Sequence, residues 1–143
     1  MYDDAELCGD WQRPTAGDCP STAKSRTGYA ILYPVCPIIW CSKLQTQIAL
    51  STTEADYIAL SQLLRNAIPM MQLLREMKAN GFPRISTSPE VHCQVFEDNS
   101  RALKLACTPK MPPCTKYINQ FYHHFQDFVQ NGMIKIFAIE SVN

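Results

Sequence analysis

Apolar and polar positions along the chain alternate with two different periods, which divide it into predicted strands and helices. Residues 2–7 have the form of a short first strand. Two apolar, partly β-branched runs follow at 28–35 and 38–42, and the prolines near their junction indicate a turn. A third short run, 46–50, leads directly into Ser-Thr-Thr-Glu at 51–54, which is typical of a helix-opening capping box.

Beyond the capping box, apolar residues recur at helical spacing up to the stop signal Asn80-Gly81. Pro69 lies inside this pattern and is expected to kink or split the helix, because proline has no backbone N–H to donate. Residues 91–96 then alternate like a strand. They are followed by a helical segment at 100–106, a proline-rich linker at 108–113, an amphipathic helix at 115–130 and an alternating strand at 133–139.

The order of these elements predicts a single α/β domain with a mixed, five-stranded sheet flanked by helices. Consecutive strands early in the chain favour hairpins, and the later alternation of strand and helix favours parallel crossovers. A length of 143 residues suits one domain with a substantial core. No internal repeat competes with this interpretation.

Composition and charge limit the classes of function. With 46% hydrophobic and 18% charged residues, the chain resembles an ordinary globular protein. The formal net charge is zero, so attraction to a nucleic acid has to come from a local basic face or a fused neighbour. No stretch approaches the roughly 20 apolar residues of a membrane span, and the acidic residues after Met1 do not suit a secretory signal. We therefore expect an intracellular protein without a membrane partner.

The seven cysteines are interpreted as free thiols, because their number is odd and no Cys-x-x-Cys pair occurs. Cys107, Cys114, His123 and His124 could gather round a zinc ion, but their spacing matches none of the usual ligand patterns. One of two adjacent histidines on an amphipathic helix usually faces inward and the other meets solvent. We expect the two histidines to serve packing or the helix surface rather than proton transfer.

Three acidic residues lie at the ends of predicted elements: Asp4 in the first strand, Glu54 in the first turn of the long helix, and Asp98 just beyond the fourth strand. Such ends converge on one edge of an open α/β sheet. Clustered carboxylates repel one another, and hard divalent ions such as Mg²⁺ or Mn²⁺ offset that repulsion. Each acid also fits a structural role. Glu54 suits the capping box, Asp98 a helix N-cap or turn, and Asp4 a solvated acidic terminus.

Residues 40–61, from Trp-Cys-Ser-Lys-Leu to Tyr-Ile-Ala-Leu-Ser, closely resemble a segment of copia-type retrotransposon polyproteins. In that family the segment spans the third strand and first helix of the ribonuclease H domain. Further segments resemble the family's motifs in the expected order: residues 3–6 with 9–11, residues 25–29, residues 96–103 and residues 115–125. Together the matches cover nearly the whole chain.

This resemblance implies a ribonuclease H-like module in which Asp4, Glu54 and Asp98 are the catalytic, metal-binding acids. They are expected to hold two Mg²⁺ (or Mn²⁺) ions and to hydrolyse the RNA strand of an RNA–DNA hybrid. Recognition of the hybrid would depend on backbone, 2′-hydroxyl and groove shape, and the reverse transcriptase domain of the same polyprotein is an expected partner. The candidates for phosphate contacts, which could equally be solvated surface residues, are Lys24, Arg26, Lys43, Arg101 and Lys116.

The chain also departs from the family's pattern. A final helix with a fourth acidic residue at its start is expected beyond Asn143, so the single domain over residues 1–143 lacks it. Tyr117 stands where histidine is common, and Cys114 stands where arginine is common. The alternative to a working nuclease is therefore a catalytically impaired or inactive remnant, which retains the fold and weak nucleic-acid binding.

Overall fold

The computed structural model of the protein describes residues 1–6, 23–82, 93–108 and 124–139. For four residues of the first segment the description covers the backbone alone: Tyr2, Asp3, Asp4 and Glu6. Most of the predicted first loop, the proline-rich linker and most of the predicted last helix lie outside the described residues. So do several residues singled out by the sequence: Cys114, Lys116, Tyr117 and His123.

The described elements follow one another in the predicted order. They are β1 (Tyr2–Glu6), β2 (Arg26–Leu32), β3 (Pro37–Leu44), α1 (Thr52–Ala79), β4 (Cys93–Glu97), α2 (Ser100–Cys107), α3 (Gln126–Gln130) and β5 (Ile134–Ala138). The α/β class expected from the sequence is therefore confirmed.

The strands pair in the order β3-β2-β1-β4-β5. β1, β2 and β3 form antiparallel pairs, and β4 and β5 form a parallel pair. The two parts join where β1 and β4 run parallel, with Tyr2 as the Cα partner of Phe96. There the Phe96 N–H donates to the carbonyl oxygen of Met1 over 2.9 Å. The short connection between β2 and β3 gives an antiparallel pair, and the connection through α2 and α3 gives the parallel pair of β4 and β5, as chain geometry requires.

α1 begins and ends at the residues that its sequence indicates. Ser51 is the N-cap, and its Oγ accepts the Glu54 N–H over 3.2 Å. Asn80 is the C-cap, and Gly81 follows at a φ of +74°, a conformation that glycine adopts without strain. The helix continues through Pro69, which is exposed, so the predicted split does not occur. Core residues lie on both sides of this proline, Ile68 before it and Met71 after it, and their packing stabilises the helix there.

The core lies between α1 and one face of the sheet, because alternate residues of β2 and β4 are buried there. The completely buried apolar side chains of α1 are Ala55, Tyr57, Ala59, Leu60, Leu63, Leu64 and Ala67. Complete burial of one leucine contributes about 1.5–3 kcal/mol, so this apolar face holds the helix on the sheet. Although α1 has 28 residues, no helix in the described ranges is long and apolar enough to cross a membrane.

The last helix differs from its prediction. His124 and Phe125 form a turn and α3 starts only at Gln126, so the predicted helix does not run unbroken to residue 130. Phe125 is completely buried, and its ring centroid lies 5.6 Å from that of Tyr57 on α1. Burial of this aromatic pair is a tertiary contact that outweighs the local helical preference.

Candidate metal-binding site

The backbone places two of the candidate acids, Asp4 and Asp98, at the same end of the sheet. Asp4 lies on β1, where it is the Cα partner of Gly28, and Asp98 follows directly after β4. β1 and β4 are parallel neighbours, and extending their register by two residues from Tyr2 and Phe96 brings position 4 level with position 98. The side chain of Asp4 lies outside the described part of the molecule.

Glu54 lies in the first turn of α1 and takes part in capping it. Its Oε2 accepts the Leu50 N–H over 2.9 Å, while its own N–H donates to Ser51 Oγ. The carboxylate thus closes the turn at the residue before the N-cap, a variant of the predicted capping box. The structural role expected for Glu54 is present, and it engages one of the two carboxylate oxygens.

Gln45 ties this turn to the centre of the sheet, a role that the sequence did not suggest. Its side chain is almost completely buried, and Nε2 donates to Ala55 O over 2.8 Å and to Thr27 Oγ1 over 2.9 Å. Thr27 is in turn the Cα partner of Ala5 on β1. The residues that directly follow Glu54 and Asp4 are therefore connected through one buried amide.

Asp98 is exposed in a bend between β4 and α2. The N-cap of α2 is Asn99, whose Oδ1 accepts the N–H groups of Arg101 and Ala102 over 3.0 and 3.3 Å. The sequence allowed Asp98 to be an N-cap or a turn residue, and the N-cap alternative is wrong because the helix starts one residue later. Asp98 thus has no capping duty.

Two buried acids, missed by the sequence reasoning, flank the candidate site. Asp56 is 6% exposed and Glu97 is 1% exposed. Asn99 contacts both: its Nδ2 donates to Asp56 Oδ2 over 2.6 Å, and its backbone N–H donates to Glu97 Oε1 over 2.9 Å. A signal for both existed in the sequence. Asp56 precedes Leu60 and Leu64 at helical spacing, and Glu97 continues the inward alternation of β4.

The donor chemistry of the candidate acids suits a hard divalent cation, since Mg²⁺ and Mn²⁺ prefer carboxylate oxygens. Because the Leu50 N–H already donates to Oε2 of Glu54, the other oxygen of that carboxylate is the better candidate ligand for a metal. Among the side chains that the structure describes, no three His, Cys, Asp or Glu residues form a group that could hold a metal ion. Asp4, the third member of the predicted set, is not among those side chains.

The candidate phosphate contacts lie on two sides of this region. Arg26 and Lys43 are exposed on the neighbouring strands β2 and β3, and Lys24 is half-buried just before β2. Arg101 is exposed in the first turn of α2, three residues after Asp98. Lys116 lies outside the described residues. Their roles in binding phosphate stay predictions.

Two of the described cysteines, Cys93 and Cys107, do not fit a thiol-based site, because burial raises the pKa of both thiols. Cys36, Cys41, Cys93 and Cys107 are free, as expected. Burial raises the pKa of the Cys93 thiol to about 11, with the N-terminal amine acting in the opposite direction. A reactive cysteine needs a lowered pKa instead. Of the four residues considered for zinc, only Cys107 and His124 fall within the described ranges, and both are exposed.

Comparison with known proteins relates the chain to retrotransposon polyproteins. It is 30% identical over 140 residues to the retrovirus-related Pol polyprotein from transposon TNT 1-94 of Nicotiana tabacum. It is 28% identical over 140 residues to the corresponding polyproteins from transposons RE1 and RE2 of Arabidopsis thaliana. Each match covers 98% of this chain but only 8–9% of the relative. No family model matches the chain, and no solved structure gives a significant match.

The fold is of the α/β class, and the relatives are retrovirus-related Pol polyproteins of transposons. More particularly, the chain is homologous over nearly its entire length to a segment of the Pol polyproteins of copia-type retrotransposons. The resemblance noted in the sequence is confirmed at that level. The chain spans less than a tenth of the length of these relatives, and its ribonuclease H character stays a proposal.

Proposed function

We propose that the chain is a ribonuclease H-type endonuclease module of a copia-like Pol polyprotein and hydrolyses the RNA strand of RNA–DNA hybrids. The observation that carries this proposal is the set of connections between the neighbours of the three acids. Register relates Asp4 to Asp98, Gln45 links Ala55 to the partner of Ala5, and Asn99 bonds to Asp56. Acids held around one edge by three separate connections are suited to act together.

The fold supports the same proposal. The resemblance implies a ribonuclease H-like mixed sheet with the first strand at its centre, and β1 lies between β2 and β4. The first helix packs on the central strands and begins with the acid-bearing turn. The resemblance implies that a nuclease module is one part of a Pol polyprotein. The similarity of the chain to Pol polyproteins agrees with this implication.

In the proposed mechanism Asp4, Glu54 and Asp98 hold two Mg²⁺ or Mn²⁺ ions. Two such ions, when bound, would supply the positive charge that activates a water molecule and stabilises the leaving oxygen of a phosphodiester. Glu54 contributes through the carboxylate oxygen that Leu50 does not engage. Asp98 contributes from an exposed bend, in which its two neighbours in the sequence, Glu97 and Asn99, are joined by a hydrogen bond. The protein thereby supplies charge and position while solvent supplies the nucleophile.

The substrate proposed is a hybrid duplex bound by shape and phosphate contacts. Arg26, Lys43 and Arg101 are exposed and can reach a polyanion from the strand side and from the α2 side. Because the net charge of the chain is zero, its overall field adds little attraction. The reverse transcriptase domain of the same polyprotein is the proposed partner that supplies the remaining affinity.

A second candidate is an impaired or inactive remnant. The observation that favours it is the capping role of Glu54, which gives this acid a structural reason to be present whether or not a metal binds. The remnant would bind hybrids in a salt-sensitive way, since phosphate contacts release counterions, but would not cleave them.

The test is a cleavage assay with the 143-residue chain, Mg²⁺ or Mn²⁺, and a hybrid whose RNA strand is labelled. Cleavage should be absent with a chelator and absent on the DNA strand. Asp98→Asn and Asp4→Asn should each lower the rate by at least about a hundredfold, since loss of a ligand exceeds the 10–100-fold effect of outer-shell partners.

Asp127→Asn is the matched control, because Asp127 is an exposed aspartate on α3 outside the candidate site. It should leave the rate unchanged. RNA cleavage no faster than that of Asp98→Asn would contradict the nuclease proposal for this chain. Salt-sensitive binding of the hybrid in that case would favour the remnant.

A further inference from the structure

Asn99 is the most highly connected polar residue at the end of β4. Each of its hydrogen-bonding groups takes part in a described contact, including the backbone carbonyl oxygen, which accepts the Leu103 N–H over 3.0 Å. The backbone N–H donates to Glu97 and the side-chain Nδ2 to Asp56, while Oδ1 accepts two N–H groups of α2. One residue therefore joins the end of β4, the start of α2 and the second turn of α1.

The contact with Asp56 is the long-range member of this set. It joins residues 43 positions apart over 2.6 Å, and Asp56 is only 6% exposed. A hydrogen bond to a carboxylate is shorter and stronger than one between neutral groups, and burial protects it from competition by water. Asn99 and Asp56 thus fix the first turns of α1 relative to the end of β4.

Each of the two residues in this hydrogen bond, Asn99 and Asp56, lies close in the sequence to a candidate metal ligand. Asp98 precedes Asn99 directly, and it follows Glu97, whose side chain is buried and accepts the Asn99 N–H. Glu54 lies two residues before Asp56 on the same helix. Neither Asn99 nor Asp56 needs to touch a metal for their hydrogen bond to set the separation between Glu54 and Asp98.

We propose that Asn99 and Asp56 are positioning residues, whose mutual hydrogen bond holds Glu54 and Asp98 at the separation needed to bind divalent ions. This inference rests on the proposed nuclease function. A purely structural role for the pair would change the stability of the chain and leave metal binding and turnover of the folded protein unaltered.

The first variant is Asn99→Ser. Serine is also a good N-cap, and the variant retains the backbone N–H for Glu97, but it loses the donor to Asp56 and adds no charge. The second is the exchange Asp56→Asn with Asn99→Asp, which reverses donor and acceptor and preserves the total charge. In the exchanged pair the amide at position 56 donates to the carboxylate at position 99, and that carboxylate can still cap α2.

The matched control is Asn66→Ser, the same substitution on α1. Asn66 Nδ2 donates to Tyr29 Oη over 2.8 Å and to Gln62 O over 3.1 Å, so the control also removes a side-chain contact between helix and sheet. With a rise of 1.5 Å per residue, Asn66 lies about 18 Å along the helix from Glu54. Both serine variants should lower the Tm of the metal-free chain.

Only Asn99→Ser should weaken Mn²⁺ binding, measured by calorimetry without substrate, and lower kcat for hybrid cleavage. We expect each effect to be about tenfold, the lower end for residues that orient metal ligands, with KM for the hybrid unchanged. The exchanged pair should recover most of both losses. If Asn99→Ser fails to fold, Asp56→Ala, which leaves the α2 cap intact, provides the same comparison.

The outcomes separate this inference from the proposed function. An unaltered chain that neither binds Mn²⁺ nor cleaves the hybrid would overturn both. The positioning role alone would be overturned if the unaltered chain binds Mn²⁺ and cleaves the hybrid, but Asn99→Ser and Asn66→Ser have the same Mn²⁺ binding and the same kcat. Failure of the exchanged pair to recover function, despite a restored Tm, would also count against it.

Discussion

The first turns of α1 and α2 contain similar parts, but the candidate metal ligand occupies a different place in each. In both turns a polar N-cap accepts backbone N–H groups, Ser51 in α1 and Asn99 in α2. In both, a glutamate accepts a further backbone N–H. At α1 this glutamate is Glu54, the candidate ligand itself. At α2 it is Glu97, and the candidate ligand Asp98 lies exposed between the glutamate and the cap.

This difference separates two ways of holding a carboxylate near a metal. Glu54 is held by its own hydrogen bond, so its structural and proposed functional roles are combined in one side chain. Asp98 is held by its neighbours, so its carboxylate is not needed to close the turn. Substitutions at the two turns should therefore divide differently between stability and activity.

The largest effect on stability is expected for Asn99→Ala. The change removes the α2 cap, worth about 1 kcal/mol, and takes the Asn99 donor away from the buried Asp56 carboxylate, which costs a further 1–3 kcal/mol or so. Denaturant unfolding should show a loss of about 2–4 kcal/mol in the free energy of unfolding, the sum of these two contributions. A loss no larger than that of Asn66→Ala would show that the Asp56 contact adds nothing special.

A smaller effect is expected for Ser51→Ala. This variant removes the Oγ acceptor for the Glu54 N–H at the exposed start of α1, and the loss of such a cap costs about 1 kcal/mol. The buried face of α1 remains, so the helix should still form. A loss as large as that of Asn99→Ala would remove the contrast between the two turns.

The smallest effects on the free energy of unfolding are expected at the two candidate ligands, and they distinguish Glu54 from Asp98. Glu54→Ala should lower the free energy of unfolding by about 0.5–1.5 kcal/mol, because the Leu50 N–H loses its acceptor. Asp98→Ala should change it by less than about 0.5 kcal/mol, as for most exposed residues without a structural contact. Both should abolish metal-dependent cleavage. Equal losses of stability in metal-free solution would contradict the division of roles.

The positions of the elements were accessible from the sequence because their signals are local. The capping tetrad places the start of α1 correctly, and the Asn80-Gly81 stop places its end. The break in the last helix could not be predicted from the sequence, since a 3.6-residue pattern carries no information about where Phe125 packs. In the structure that ring packs beside Tyr57, and residues 124–125 form a turn instead of helix.

The candidate site was accessible only in part. Glu54 could be recognised as a capping residue, and Asp98 could be placed after a strand. Asp56 and Glu97 went unnoticed because charged residues are usually assumed to be solvated. The sequence periodicity predicts that both side chains are buried. Both accept hydrogen bonds from Asn99, which belongs to another element and is not indicated by that periodicity.

By itself, the sequence determined the order of strands and helices, the caps of α1 and the relation to Pol polyproteins. These depend on side chains acting on backbone within a few residues, or on direct similarity. Tertiary structure alone decided that Gln45 and Asn99 tie α1 to the sheet. Such contacts join residues far apart in the chain, and their energy exists only once packing has excluded water from both partners.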